Sequence, residues 1–315
     1  MISQVRRFNR TVTQRVGALN DRFLARDRSL GEARLLWEIG VHGRDVRSLR
    51  ADLELDSGYV SRLLRSLEAA GLVTVGPKES DRRVRIARLT SAGLAERTIL
   101  DRRSDAVAAS LLEHLGEKQR VRLVEAMAEV ERLLTAAMVN VLPVDPTHAD
   151  AAYCLHEYFS DLNQRFEAGF DPALSIPADA TDLRPAAGVL LVATLRSSPI
   201  GCGALKFHGD EPAEIKRMWV APSARGLGVG RRLLTELETY AAIRGVRTVR
   251  LETNRTLTEA IGLYRSAGYV EVEPFNDETY AHHWFEKHLG ADHPAGPPDG
   301  SSGMTIDADL RTAIA

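Results

Sequence analysis

The chain has 315 residues and a net charge of −2, and 44% of its residues are apolar. This length predicts about two domains, while two cysteines without metal-ligand spacing, Cys154 and Cys202, argue against a disulfide framework and favour a reducing, cytoplasmic setting. The sequence has no apolar stretch of membrane-spanning length and no charged-then-apolar leader, which argues against a membrane protein.

The net charge changes sign at the Leu142-Pro143 step. Residues 1–142 contain 25 Lys and Arg against 19 Asp and Glu, a net charge of +6, whereas 143–315 contain 16 against 24, a net charge of −8. A basic domain suits an anionic polymer as partner, although two ordinary domains can differ in charge by chance. We therefore predict domains at 1–142 and 143–290, followed by a disordered tail at 291–315 that is rich in proline, glycine and serine.

Helices open the first domain. Apolar residues recur at three- and four-residue steps over 5–23, which predicts a long amphipathic helix, and shorter helices follow around 35–39 and over 48–53. A fourth helix is predicted over 58–70, where Asp56 and Ser57 can cap its start and Gly71 can end it. One side of this helix is apolar, and the other carries polar or small residues: Gly58, Ser61, Arg62 and Arg65, with Tyr59 near the start.

A basic hairpin and two long helices complete the first domain. Strands are predicted over 72–75 and 82–89, because Val84 and Ile86 alternate with arginines, and helices follow over 91–115 and 118–141. Short helices, a helix with outward arginines and a basic hairpin form a winged helix-turn-helix. In that fold one helix enters the major groove of DNA, while the hairpin reaches phosphates or the minor groove.

This stretch resembles the MarR family of regulators. LDSGYVSRLLRSLE at 55–68 is similar to the family's recognition helix, and DRRVRI at 81–86 with LTSAG at 89–93 is similar to its wing. The resemblance covers 1–142 and implies a mostly-α, MarR-like winged helix-turn-helix domain that forms a homodimer and binds double-stranded DNA at a near-palindromic operator. It implies these DNA-binding residues, with Arg83 at the wing tip held by Asp81: Ser57, Tyr59, Ser61, Arg62, Arg65, Asp81, Arg82, Arg83 and Arg85.

The second domain contains strands and a glycine loop. Runs over 189–195, 200–207 and 214–220 predict an antiparallel meander. RGLGVG at 225–230 follows and leads into a helical pattern over 233–241. Glycines let the backbone approach a ligand, and N–H groups at a helix N-terminus bind anions, so this loop predicts a phosphate site.

Two common phosphate loops do not match this one. A P-loop ends in Gly-Lys-Ser/Thr, whereas Arg231 and Arg232 follow here. A dinucleotide loop needs G-x-G-x-x-G, and neither frame of the three glycines fits, although Glu252 lies about where a ribose-binding acid would. An antiparallel meander before the loop also argues against a dinucleotide fold.

The loop instead resembles the acetyl-CoA loop of the GNAT acetyltransferases. Arg225-x-x-Gly228-x-Gly230 matches that loop, and EIKRMWVAP at 214–222 and AIGLYRSAGY at 260–269 are similar to the family's flanking blocks. The resemblance covers about 145–290 and implies an α/β (α+β) acyltransferase domain with a mixed, largely antiparallel sheet. The domain's first strand would be confined to 139–144 or absent.

The resemblance also implies which residues bind acetyl-CoA and act on it. Tyr264 would protonate the leaving thiolate after an amine attacks the thioester. A core tyrosine is the alternative role for this residue. Leu257 replaces an asparagine that is usual in the family, and Asn254 is its candidate substitute. The implied cofactor-binding residues are Met218, Trp219, Val220, Arg225, Gly226, Leu227, Gly228, Val229, Gly230, Arg231 and Asn254.

The general base and the acceptor stay open at this level. Glu214 is the first candidate base, a structural salt bridge is its alternative role, and weaker candidates are His208, Glu252, His282 and His283. The acceptor pocket is expected to draw on 158–170, Trp219 and 280–284. The aromatic residues there favour an apolar or aromatic-bearing small molecule, and ordinary core packing is their equal alternative role.

Two functions follow from the two resemblances. The first is a DNA-binding transcriptional regulator whose second domain acetylates a small-molecule amine with acetyl-CoA. The second is a ligand-sensing transcription factor whose acetyltransferase-like domain binds acetyl-CoA or an effector without turnover and shifts DNA affinity. Acetylation of a protein lysine is a third possibility.

Overall fold

The computed structural model describes residues 1–18, 24, 27–78, 81–209 and 211–290. The predicted tail at 291–315 and the end of the predicted first helix at 19–23 lie outside these ranges. The chain divides into two compact units, Met1–Leu134 and Thr135–Ala315. No helix in the described ranges is long and apolar enough to cross a membrane.

The first unit packs helices against a small three-stranded sheet. Antiparallel pairing joins its strands in the order β1-β3-β2. Helix α6 ends before the predicted 141, because the following residues form a strand of the second unit. The elements are α1 (Ile2–Arg15), α2 (Leu30–Ile39), β1 (Arg44–Asp45), α3 (Val46–Leu53), α4 (Ser57–Ala69), β2 (Val73–Lys78), β3 (Asp81–Leu89), α5 (Ser91–Leu112) and α6 (Glu117–Ala137).

Helix α4 is fixed at both ends by local chemistry. Asp56 is its N-cap, and the Asp56 carboxylate accepts a 2.8 Å hydrogen bond from the Tyr59 N–H. Gly71 follows the helix with a left-handed φ of +70°. The predicted apolar stripe is buried against α2 and the sheet, which leaves the opposite side of α4 exposed: its core residues are Val60, Leu63, Leu64 and Leu67.

The second unit is a seven-stranded sheet with helices on both faces. Its strand order is β4-β5-β6-β7-β8-β10-β9, and each neighbouring pair is antiparallel except β7 with β8. The predicted antiparallel meander, which corresponds to β5, β6 and β7, is therefore confirmed. The elements are β4 (Asn140–Pro143), α7 (Ala149–Arg165), β5 (Gly188–Leu195), β6 (Ser198–His208), β7 (Glu211–Val220), α8 (Val229–Ile243), β8 (Thr248–Thr253), α9 (Thr258–Ser266), β9 (Val270–Val272) and β10 (His283–His288).

Two features of β7 shape the site. Strands β7 and β8 pair only at Ala213 with Val249 and at Glu214 with Arg250, so beyond these pairs the strands separate. A break in register between β6 and β7 lies opposite Arg217, whose φ of +58° is left-handed. This break is a β-bulge, a device that redirects side chains next to functional sites. The two features open a cleft in the middle of the sheet.

Candidate functional site

The glycine loop between β7 and α8 forms one end of a groove. Gly226 and Gly228 have φ values of +83° and +76°, which residues with a Cβ rarely adopt. Gly228 is the N-cap of α8, and no side chain caps this end of the helix in the described part of the chain. The helix N-terminus, with its partial positive charge, therefore lies on the groove wall.

The groove lies between α7, the end of β7, α8 and α9. Three arginines line it, and two of them form ion pairs within the wall. Arg225 Nη2 lies 3.5 Å from Asp161 Oδ1, and Arg165 Nη2 lies 2.6 Å from Glu259 Oε2. The third, Arg231, contacts Ser266. This end suits an anionic group, while the edge of β7 suits an extended arm.

A smaller chamber adjoins the groove. Tyr158, Met218 and Tyr264 line both spaces, so ligands in the groove and in the chamber would meet at these residues. The chamber also has an aromatic side, where the Tyr280 ring centroid lies 4.8 Å from that of Phe170 and 5.6 Å from that of Phe166.

Tyr264 lies on α9 at the junction of the groove and the chamber and is 5% exposed. Desolvation raises the pKa of Tyr264, and the neighbouring Tyr158 and Glu252 raise it further. Its hydroxyl therefore stays protonated at neutral pH and is suited to donate a proton to a developing anion.

A buried charge cluster links β7 to β8. Lys216 Nζ lies 2.5 Å from Glu252 Oε1 and 3.3 Å from Glu214 Oε2. Arg250 Nη2 lies 3.0 Å from Glu214 Oε1, and His208 Nε2 lies 3.3 Å from Glu214 Oε2. Burial disfavours the Glu214 carboxylate, yet Lys216, His208 and Arg250 together lower its pKa below the usual value. Glu214 is thus a weak proton acceptor.

The predicted base candidates fall in different places. Glu214 does not line the groove or the chamber, whereas Glu252 lines the chamber. His282 contacts Arg255, and His283 contacts Glu271, both outside the two spaces. Among the candidates, Glu252 alone is therefore brought to the chamber that contains Tyr264.

Most of the predicted cofactor residues lie together along the groove. Its lining includes Met218, Trp219 and Val220 of β7 and the loop from Arg225 to Arg231, apart from Leu227. Asn254 instead lines the chamber, and its side chain is engaged there: Nδ2 donates to the Tyr280 carbonyl, and Oδ1 accepts from Thr256. Leu257 lies where the two spaces meet.

Several chamber residues were missed in the sequence. Lys216 and Arg217 line it from β7, and Glu278 lines it from the loop before β10. Glu278 Oε2 accepts hydrogen bonds from the Ile176 N–H at 2.7 Å and from Ser175 Oγ at 3.0 Å. This carboxylate joins two loops around the chamber. No local sequence pattern marks these positions, because residues far apart in the sequence come together there only when the chain folds.

The predicted DNA-contacting residues lie on the exposed side of the first unit. Arg62 and Arg65 of α4 are exposed, and the Arg62 guanidinium lies 5.7 Å from the centroid of the Tyr59 ring. At the start of β3, the Arg83 N–H donates to the Asp81 carboxylate at 3.0 Å. The remaining predicted contacts are exposed as well: Ser57, Ser61, Arg82 and Arg85.

Family models match both units. The model of the acetyltransferase (GNAT) family matches residues 155–269, and that of the MarR family matches residues 27–84. Solved structures similar to the second unit include a GNAT family acetyltransferase from Staphylococcus aureus (16% identity, TM-score 0.42, 48% of this chain and 99% of that one). Another is a GNAT family acetyltransferase from Elizabethkingia anophelis with acetyl-CoA bound (19% identity, TM-score 0.34, 48% and 99%).

Curated relatives match the second unit only in part. An IAA acetyltransferase of Azospirillum brasilense is 40% identical over 86 residues, which are 27% of this chain and 56% of the relative. An uncharacterized N-acetyltransferase of Schizosaccharomyces pombe is 37% identical over 93 residues, which are 29% of this chain and 57% of the relative. The chain thus spans just over half the length of these relatives.

Proposed function

Because this chain carries a MarR family domain fused to a GNAT acetyltransferase domain, we propose that it is a transcriptional regulator that also acetylates a small-molecule amine. The observation that carries the enzymatic part is the junction of groove and chamber at Tyr264. One space fits an elongated anionic cofactor, the other fits an acceptor, and a buried proton donor lies between them.

Acetyl-CoA is the cofactor that this groove fits. The N-terminus of α8 and the glycine loop would hold its pyrophosphate, with Arg225 and Arg231 beside it. The edge of β7 at Met218–Val220, where the strand separates from β8, leaves backbone groups for the pantetheine arm. When bound, this cofactor supplies a thioester whose acetyl group an amine can attack.

Two side chains would move the protons of this reaction. Glu252 lines the chamber and Glu214 does not, so Glu252, ion-paired with Lys216, would take the proton from the attacking amine. Tyr264 would donate its phenolic proton to the departing thiolate, since desolvation keeps that hydroxyl protonated.

The reaction is tested by release of free thiol from acetyl-CoA with a library of small amines. We expect at least one amine to support turnover in the wild type. We expect G228V to weaken acetyl-CoA binding at least ten-fold in calorimetry, because valine is strained at a φ of +76° and removes the close backbone approach. G245V is the matched control, since Gly245 has a φ of +78°, open space around it and no place in either cavity.

Thiol release without dependence on Gly228 would contradict the assigned groove. Tight acetyl-CoA binding with no turnover on any amine would contradict the enzymatic proposal and favour the sensor function instead. Leu257 favours that second function, because an apolar side chain lies at the junction where the family usually has an asparagine. A sensor requires acetyl-CoA or an effector to change DNA affinity, so unchanged affinity with saturated ligand would exclude it.

The choice of base gives a separate prediction. We expect E252Q to lower kcat by about 100-fold, the lower range for loss of a general base. E214Q is the matched control, and we expect less than a three-fold change in kcat for it, because Glu214 lies outside both spaces. A larger loss in E214Q than in E252Q would restore Glu214 as the base.

DNA binding and a homodimer complete the proposal. Helices α1 and α6 expose apolar side chains that a monomer would leave in water, including Val5, Phe8, Val124 and Met127. A second copy covering these faces would pair two α4 helices for a near-palindromic operator.

A further inference from the structure

At the β-bulge in β7, three successive residues of the strand line the chamber. In a regular strand, successive side chains point to opposite faces. Here Lys216, Arg217 and Met218 all line the same chamber. The left-handed φ of +58° at Arg217 makes this possible, and such a conformation is strained for a residue with a side chain.

Neighbouring groups hold the bulge in place. The Cys202 thiol donates to the Arg217 carbonyl, with the sulfur 3.2 Å from the oxygen. On the same strand, Gly203 leaves room for Met218, because a Cβ at that position would lie 2.6 Å from the Met218 sulfur. The Arg217 guanidinium lies 4.8 Å from the Phe159 ring centroid and 5.7 Å from that of Tyr158. The cation is therefore stacked on aromatic faces and held in one direction.

Arg217 also differs from the other charged residues of the chamber. Lys216 forms ion pairs with two glutamates, and Glu278 accepts hydrogen bonds from the 175–176 loop. Within the described residues, no carboxylate lies at ion-pair distance from Arg217. Arg217 is thus a half-buried guanidinium whose neighbours are the rings of Phe159 and Tyr158 and the Tyr158 hydroxyl, and its planar donors match a carboxylate in two parallel hydrogen bonds.

We propose that Arg217 binds a carboxylate of the acceptor, so that the substrate class is an amine that also carries a carboxylate and has an aromatic or apolar body. The body would pack on the ring cluster of Phe166, Phe170 and Tyr280. A monoanionic carboxylate fits better than a phosphate dianion, because the second cation of the wall, Lys216, is already neutralised. This inference rests on the proposed function of the same chamber.

The test uses pairs of probes that differ only in the carboxylate. The full chain, with coenzyme A present, is titrated by calorimetry with phenylalanine against phenethylamine and with 4-(aminomethyl)benzoate against benzylamine. The two pairs place the amine and the carboxylate at different separations. We expect the carboxylated member of at least one pair to bind at least ten-fold more tightly.

Two arginine variants assign that preference to a side chain. We expect R217N to abolish the preference while keeping coenzyme A binding, because asparagine tolerates a left-handed φ. R196N is the matched control: Arg196 also has a positive φ, 49°, but lies exposed in the β5–β6 turn. R217K keeps the positive charge but loses the planar guanidinium, so we expect it to retain part of the preference for the carboxylated probe. If R217N does not fold, R217K takes its place in the test.

The outcomes separate this inference from the reaction itself. Equal binding within both pairs, or a preference that persists in R217N, would overturn the carboxylate site. Carboxylate-dependent binding that R217N removes would support it even if no thiol is released, and in that case only the proposed acetyl transfer fails.

Discussion

We expect the double variant R62E/R83E to lose at least 100-fold of its affinity for a DNA duplex selected by the wild-type protein. Arg62 is exposed on α4, and Arg83 follows Asp81 at the start of β3, so the two side chains test the helix and the wing together. Loss of one arginine contact to DNA costs about 1–3 kcal/mol, and reversal adds repulsion from the phosphates. Two contacts therefore suffice for the expected loss.

The salt dependence of binding makes this prediction specific. The slope of log affinity against log salt concentration should become shallower by about one for each phosphate contact removed. R196E is the control for charge reversal at a surface arginine, because Arg196 is exposed in the other unit, and it should retain wild-type affinity. If the double variant binds as tightly as the control, neither side chain contacts DNA, and the winged-helix interpretation of this face is wrong.

Replacement of Tyr264 by phenylalanine should lower kcat by about 10²–10⁴-fold, the range for loss of a general acid. Acetyl-CoA affinity should change less than three-fold, since the ring and its packing remain. The measurement is thiol release with an amine that the wild type acetylates, together with calorimetry of acetyl-CoA binding.

A neighbouring tyrosine provides the control for this substitution. Tyr269 is also buried, and its ring centroid lies 5.9 Å from that of Tyr264, but it lines neither the groove nor the chamber. Y269F should therefore keep kcat within a few-fold of the wild type. Equal losses in the two variants would indicate that the effect is not specific to the Tyr264 hydroxyl and that the leaving thiolate takes its proton elsewhere.

Much of the fold could be predicted from local patterns in the sequence. The apolar stripe of α4, its Asp56 cap and the alternation in β3 each depend on neighbours within one turn or one strand, so periodicity sufficed to predict them. The winged-helix and acetyltransferase regions that the motifs indicated are confirmed by the family models. The end of α6 was misplaced because Met138, Val139 and Val141 continue the apolar pattern of the helix, whereas pairing of β4 with β5 makes 140–143 a strand.

The chamber could be predicted only in part. Tyr264 and the loop glycines lie in sequence motifs, and the structure brings them to a shared space. Arg217, by contrast, lies in EIKRMWV, which looks like an ordinary alternating strand. Its direction depends on the register between β6 and β7, and a register is a property of two strands rather than of one segment. Glu252 likewise reaches the chamber only because its strand, β8, lies beside β7 in the sheet.

The contact between Gly203 and Met218 has an evolutionary consequence. Gly203 lines neither the groove nor the chamber, yet a single added methyl group there would displace Met218, which lines both. The displaced atom is the flexible end of a side chain, so the fold can absorb the change while the cavity changes shape. Selection for a new acceptor could therefore act through a residue that touches no substrate, and descendants of this protein could diverge in specificity while every motif stays intact.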